Sequence, residues 1–224
     1  MTPQEKALEC RRRLVETYGD PPPQLQLDPI SELVATIISQ NTNDRLRDQA
    51  YSALRHRFPT WEQVRDAPTE DVVSCIQVAG LGSTKAPHIQ NALRRITTER
   101  GRLELEFLRG LGVEGAKKWL TEMKGVGPKT AAIVLLFSLN MPAFPVDTHI
   151  HRVSRRLGLI SAKTSREQAH ELLERMVPPE TYCPFHLNLI RHGREVCAAR
   201  KPTCSQCVLR DLCEHYASVT APRE

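Results

Sequence analysis

Apolar residues recur at helical spacing along almost the whole chain, and nowhere do they alternate with polar residues for long enough to make a convincing strand. The run 30–39 (ISELVATIIS) sets Leu33, Ile37 and Ile38 on one face, with Ser31 as a candidate cap and Asp28-Pro29 ahead of it. Further helical stretches cover 46–58, 61–65, 69–76, 85–97, 103–108, 115–123 and 128–139. Three more cover 148–157, 165–177 and 183–194. Proline and glycine punctuate the joins at Pro21-Pro22-Pro23, Pro59, Pro68, Gly80, Gly101, Gly125, Pro142, Pro145 and Pro178-Pro179. No fixed-period repeat is present. The pattern predicts an all-α protein of many short helices in two helical lobes, with the chain crossing between them near residues 21–29 and 140–145.

Composition bounds the partners. With 224 residues and 40% apolar content, the chain can bury a sizeable core, and its 25% charged residues with a net charge of +5 exclude a disordered polyelectrolyte. The longest apolar stretch, 131–139, is broken by Ser138 and falls far short of the roughly 20 residues a bilayer span requires. No membrane partner is expected. The N-terminal MTPQEKALEC has acids and no apolar h-region, so no export signal is expected and a cytoplasmic location follows for a bacterial cell. A pI near 8.9 leans toward an anionic partner. Aromatic residues at 5% are too few for rows of stacked rings along a single strand.

The most informative local segment is 120–132, LTEMKGVGPKTAA. Gly125 and Gly127 flank Val126, admit backbone angles closed to other residues and let another molecule approach the main chain. Pro128 then opens the most apolar helix of the chain, where its missing N–H costs nothing. The remaining free amides and the helix dipole suit a phosphate. Helix, glycine turn and helix form a grip on a nucleic-acid backbone, although a tight αα-turn with sterically required glycines reads the same way. Lys129 follows the turn directly, and Asp147 lies downstream in Val146-Asp147-Thr148-His149. Singly, a helix lysine is a solvated charge and an Asp before Thr-His-Ile is an N-cap. Together, after such a turn, they point to an amine and a carboxylate sharing one cleft.

Four of the seven cysteines, Cys197, Cys204, Cys207 and Cys213, crowd into a C-x6-C-x2-C-x5-C tail, while Cys10, Cys75 and Cys183 are scattered. An odd total argues against a disulfide framework and for a reducing compartment. A loop so short could hardly order itself without a metal centre. Zinc normally takes two close pairs; four thiolates without an intervening His fit an iron–sulfur cluster better, with zinc open on chemistry alone. His192 and His215 read as surface or hydrogen-bonding groups, not ligands. Arg191, Arg194, Arg200, Lys201 and Arg210 in the tail, with Arg152, Arg155 and Arg156 on the helix after Asp147, suggest a phosphate-facing surface.

These segments resemble the endonuclease III family of helix-hairpin-helix (HhH-GPD) DNA glycosylases. The resemblance rests on Met123-Lys-Gly-Val-Gly-Pro-Lys-Thr-Ala131, on Phe144-Pro-Val-Asp-Thr-His-Ile-His-Arg-Val153 and on the cysteine spacing, in the family's order, and covers about residues 30–213. It implies a six-helix barrel carrying the hairpin over 28–139 and a [4Fe–4S] lobe formed by 1–27 and 140–224, with damaged double-stranded DNA across the groove between them and a monomer as the acting species. Cys197, Cys204, Cys207 and Cys213 match the cluster ligands, Lys129 the nucleophile and Asp147 the catalytic aspartate. Gly125, Val126, Gly127 and His149 fall in the DNA-binding motifs.

The implied activity is a bifunctional glycosylase and abasic-site lyase acting on oxidised pyrimidines in base excision repair. Leu81, in Ala79-Gly-Leu-Gly-Ser-Thr-Lys85, resembles an apolar wedge pushed into the base stack, against the alternative of a buried turn leucine. In the loop 39–44 (SQNTND), Asn41 stands where typical members carry a gap-filling glutamine, with Gln40 adjacent. That departure bears on opposite-base contacts and damage range. Two other readings stay open: a glycosylase for thymine or uracil opposite guanine, and a non-catalytic DNA-binding iron–sulfur module.

Overall fold

The structure is a computed structural model that describes residues 1–21 and 27–220. The middle of the triple-proline join, Pro22 and Pro23, lies outside the described residues. Two compact units are present: Met1–Gln24 with Pro142–Glu224, and Leu25–Met141. The family resemblance implies 28–139 for the second of these units. All described secondary structure is α-helix or short 3-10 turn, and no described helix is long and apolar enough to cross a membrane.

The first unit opens with α1 (Pro3–Tyr18), started by a Thr2–Glu5 capping box. Periodicity alone does not single this helix out, because only Ala7, Cys10 and Leu14 are buried and most of the rest is charged or polar. The second unit holds α2 (Pro29–Ile38), α3 (Asp44–Arg57), α4 (Trp61–Asp66), α5 (Thr69–Ile76), α6 (Gly82–Arg100), α7 (Gly112–Thr121) and α8 (Pro128–Phe137). The first unit resumes with α9 (Thr148–Leu157), α10 (Arg166–Glu174), α11 (Tyr182–Glu195) and α12 (Glu214–Thr220). The stretch expected to be helical at 103–108 is irregular up to Leu105 and then runs into a 3-10 segment, Glu106–Leu111, and α7 starts at Gly112.

In the second unit α2 packs on α8, α3 and α6. Its residues from Ile30 to Ile38 are buried except Glu32, Ser31 and Thr36 included, so it is a core helix rather than a surface one. Asp28, not Ser31, is its cap: the carboxylate accepts the amides of Ile30 and Ser31, at 3.1 and 3.0 Å. Ser31 sits one turn inside, where its hydroxyl accepts the Trp61 indole N–H. In the first unit α9 and α1 both pack on α11, and Phe144 fills the space beside Tyr182 and Phe185.

Candidate active site

The segment 121–128 forms the expected bend. α7 ends at Thr121, the Val126 amide donates to Met123 O at 3.0 Å, and α8 starts at Pro128. The two glycines are there for different reasons. Gly125 has φ +87°, and a Cβ on it would collide with the His88 imidazole of α6, so the fold itself requires glycine. Gly127 has φ −94° with extended ψ, and a Cβ on it would meet nothing within 4 Å. Nothing in this chain requires glycine at 127, which leaves that backbone approachable from outside. Gly127 is the N-cap of α8 and offers no side chain to the first-turn amides of Lys129 and Thr130. Val126 is buried, while Gly127 and Pro128 beside it are exposed. Lys129 is half-buried on that first turn.

Two further loops border the same unit. The Gln40 side-chain amide donates to Gly125 O at 2.8 Å, which ties the segment after α2 to the hairpin. Gln40 is thereby occupied within the unit, while Asn41 is exposed and takes φ +54°. Leu81, at the N-cap of α6, takes φ +55° and is 53% exposed. A bulky side chain held out in the left-handed region costs about 1 kcal/mol or more. The buried-turn alternative for Leu81 is therefore excluded. Sequence reasoning missed Lys85: it is 2% exposed, and its ammonium donates to Ile38 O at 2.8 Å and Ala79 O at 2.9 Å. Burial lowers its pKa.

In the first unit Asp147 caps α9, accepting the Ile150 amide at 2.8 Å on Oδ1. The capping role and a catalytic role for Oδ2 are compatible. His149 lies 3.1 Å from the Arg152 guanidinium through Nδ1. Lys129 and Asp147 belong to different units.

Cys197, Cys204, Cys207 and Cys213 line one pocket of about 300 Å³, part of it open to solvent, together with Arg156, Val196, Pro202, Arg210, His215 and Tyr216. Among the described residues no three His, Cys, Asp or Glu groups gather closely enough to hold a single metal ion. Four thiols spread round one pocket suit a cluster with iron at several corners better than one tetrahedral ion. Burial raises the Cys207 thiol to about 11 and raises Cys213; bound iron would take both as thiolates.

The surrounding contacts correct one reading of the sequence. Arg152 and Arg156 do not face outward. Arg152 donates to Cys197 O at 3.0 Å and Gly193 O at 2.7 Å, while Arg156 donates to Cys197 Sγ at 3.3 Å and to Ala198 O and Ala199 O at 2.8 Å. Guanidinium forks saturate the carbonyls of a loop with no helix or sheet to do so. Arg13 of α1 adds an ion pair to Asp211 and a bond to Val208 O at 3.1 Å. His192 takes the hydrogen-bonding alternative: it is 1% exposed, between the Tyr18 hydroxyl at 3.1 Å and Cys207 Sγ at 3.4 Å. Burial pushes its pKa down to about 4.

Comparison with known proteins adds four findings. Residues 34–179 match the model of the HhH-GPD superfamily of base excision DNA repair proteins. The chain is 32% identical over 208 residues to endonuclease III of Thermotoga maritima, covering 93% of this chain and 92% of that protein. It is also 37% identical to a protein of Arabidopsis thaliana that carries a provisional DNA glycosylase name, covering 85% of this chain but spanning only 62% of that relative. A structure of a non-covalent endonuclease III–DNA complex superimposes with a TM-score of 0.84 at 26% identity, over 98% of this chain and 99% of the other.

Proposed function

The chain belongs to the HhH-GPD superfamily of base excision DNA repair proteins and is a DNA glycosylase, and from that premise we propose that it removes oxidised pyrimidines from duplex DNA and then cuts the strand through a Schiff base on Lys129. The observation that carries this reading is the α7–α8 hairpin, with an open glycine at its tip and an amine on the next helical turn. A phosphate bound by the amides of that turn holds the strand where Lys129 can reach a neighbouring sugar.

The damaged base leaves the stack at a cost of a few kcal/mol, least for a base that is already badly stacked. The Lys129 amine forms a bond to C1′ as the bond from C1′ to the base nitrogen breaks, and the departing base takes up a proton. Only an uncharged amine attacks. After the amine loses a proton and the ring opens, the iminium acidifies C2′. Loss of a C2′ proton expels the 3′ phosphate by β-elimination. The Asp147 carboxylate stabilises the cationic sugar as the base departs. Cys197, Cys204, Cys207 and Cys213 would hold a [4Fe–4S] cluster, which when bound supplies four iron–thiolate bonds that order the tail.

Borohydride should trap the protein on a duplex containing thymine glycol, and Lys129→Ala should abolish trapping and lower excision by about 1,000-fold or more. Trapping of the alanine variant at the native rate would overturn the assignment of the nucleophile. Faster single-turnover release of thymine from a T·G duplex than of thymine glycol would replace the oxidised-pyrimidine reading with a mismatch glycosylase.

A further inference from the structure

Lys85 stands apart from the chemistry above. A lysine 2% exposed is unusual, since its charge is stripped of water. What it gains is two carbonyls at two chain ends: Ile38 O closes α2, and Ala79 O closes the 3-10 turn Gln77–Ala79. A cation there satisfies orphan carbonyls and complements both termini. Three residues beyond Ile38 comes Asn41, and two beyond Ala79 comes Leu81. Both are exposed, and both are held in the left-handed region that side chains rarely adopt. One turn further along α6, His88 lies against Gly125, and Gln40 donates to Gly125 O.

We propose that Lys85 is a positioning residue for base eversion, its ammonium clamping the ends of α2 and the 77–79 turn so that Asn41 and Leu81 enter the duplex as one rigid pair. This rests on the glycosylase reading above. Forcing a base step apart costs a few kcal/mol, and a wedge that yields instead of the DNA cannot supply it. Lys85 touches no substrate atom and acts only through the two loops. Its loss should therefore cost most where the stack must be opened and little where it is already open.

The test compares the unaltered protein with Lys85→Met and Lys85→Gln on three duplexes under single-turnover conditions: thymine glycol opposite adenine, thymine glycol opposite an abasic gap, and a preformed abasic site. For Lys85→Met, excision from the fully paired duplex should fall about 30-fold, with strand cutting at the abasic site changed less than about 3-fold and most of the loss recovered opposite the gap. Lys85→Gln, which keeps a donor, should lie between. Leu81→Ala should give the same substrate pattern, and adding Lys85→Met to it should cost little more, because the two act as one unit. If Lys85→Met proves too unstable to assay, Lys85→Gln and the Leu81 cycle carry the comparison. Equal losses on all three substrates, or additive losses with Leu81→Ala, would overturn the proposal. Inactivity of the unaltered protein on thymine glycol would instead count against the glycosylase reading itself.

Discussion

The α2–α8 unit and the cysteine tail hold themselves together by opposite means. In the unit, Leu33, Val34, Ile37 and Ile38 of α2 and Ala131, Val134 and Leu135 of α8 are all buried, and order follows from apolar area removed from water. In the tail, Leu209 is the only buried apolar side chain between 197 and 213. Order there comes from Arg13, Arg152 and Arg156 donating into loop carbonyls and from the pocket the four thiols enclose. A net hydrogen bond contributes about 1 kcal/mol, too little to fix 17 residues that each lose roughly 1–2 kcal/mol of conformational freedom. On the reading proposed above, a bound cluster supplies the rest of the order in the tail, whereas the core helices draw theirs from burial alone.

That contrast can be broken most directly at the thiols. Cys204→Ser should remove the absorbance near about 400 nm and open the tail to trypsin at Arg200 and Arg210, which are exposed. A tail that stayed resistant would show the arginine straps to be sufficient without metal. Next in size is Leu33→Ala, expected to cost about 3 kcal/mol in a denaturant titration while leaving the absorbance per folded molecule unchanged. Concerted loss of colour well before unfolding would mean that core and tail are not separable.

Arg156→Met should have a smaller effect confined to the tail. It removes donors to Cys197 Sγ, Ala198 O and Ala199 O, and chelator should then bleach the protein several-fold faster with global stability lowered by about 1–2 kcal/mol. Smallest in stability is Gly127→Ala, where the added methyl meets nothing and φ is ordinary. The melting temperature should hold within the equivalent of about 0.5 kcal/mol. DNA affinity, read by fluorescence anisotropy, should nevertheless fall about tenfold as the methyl stands between backbone and phosphate. Unchanged affinity would remove the hairpin tip from the interface.

The sequence showed most of the helices, the glycine bend and the cysteine spacing, because each is written in neighbouring residues. It showed less where a helix has few apolar residues: α1 buries Ala7, Cys10 and Leu14 against a charged remainder, and its capping box was the one local signal available. The candidate cap Ser31 was off by one turn, since Asp28 before a proline is the stronger cap and Ser31 is drawn to Trp61. For Leu81 the sequence left a wedge and a buried turn open, and its exposure removes the buried turn. The arginines of α9 and of the tail were read as one surface, yet Arg152 and Arg156 of α9 turn inward.

What the chain order alone determined is what depends on local geometry: where helices start and stop, where only glycine fits, and which thiols lie close in sequence. Tertiary structure decided the fate of the long polar side chains. Lys85 meets a carbonyl 47 residues away, and Arg156 binds carbonyls up to 43 residues away. Lysine and arginine carry flexible stems and strong donors, and the same residue is a solvated charge or a buried clamp according to which orphan carbonyls the packing brings within reach.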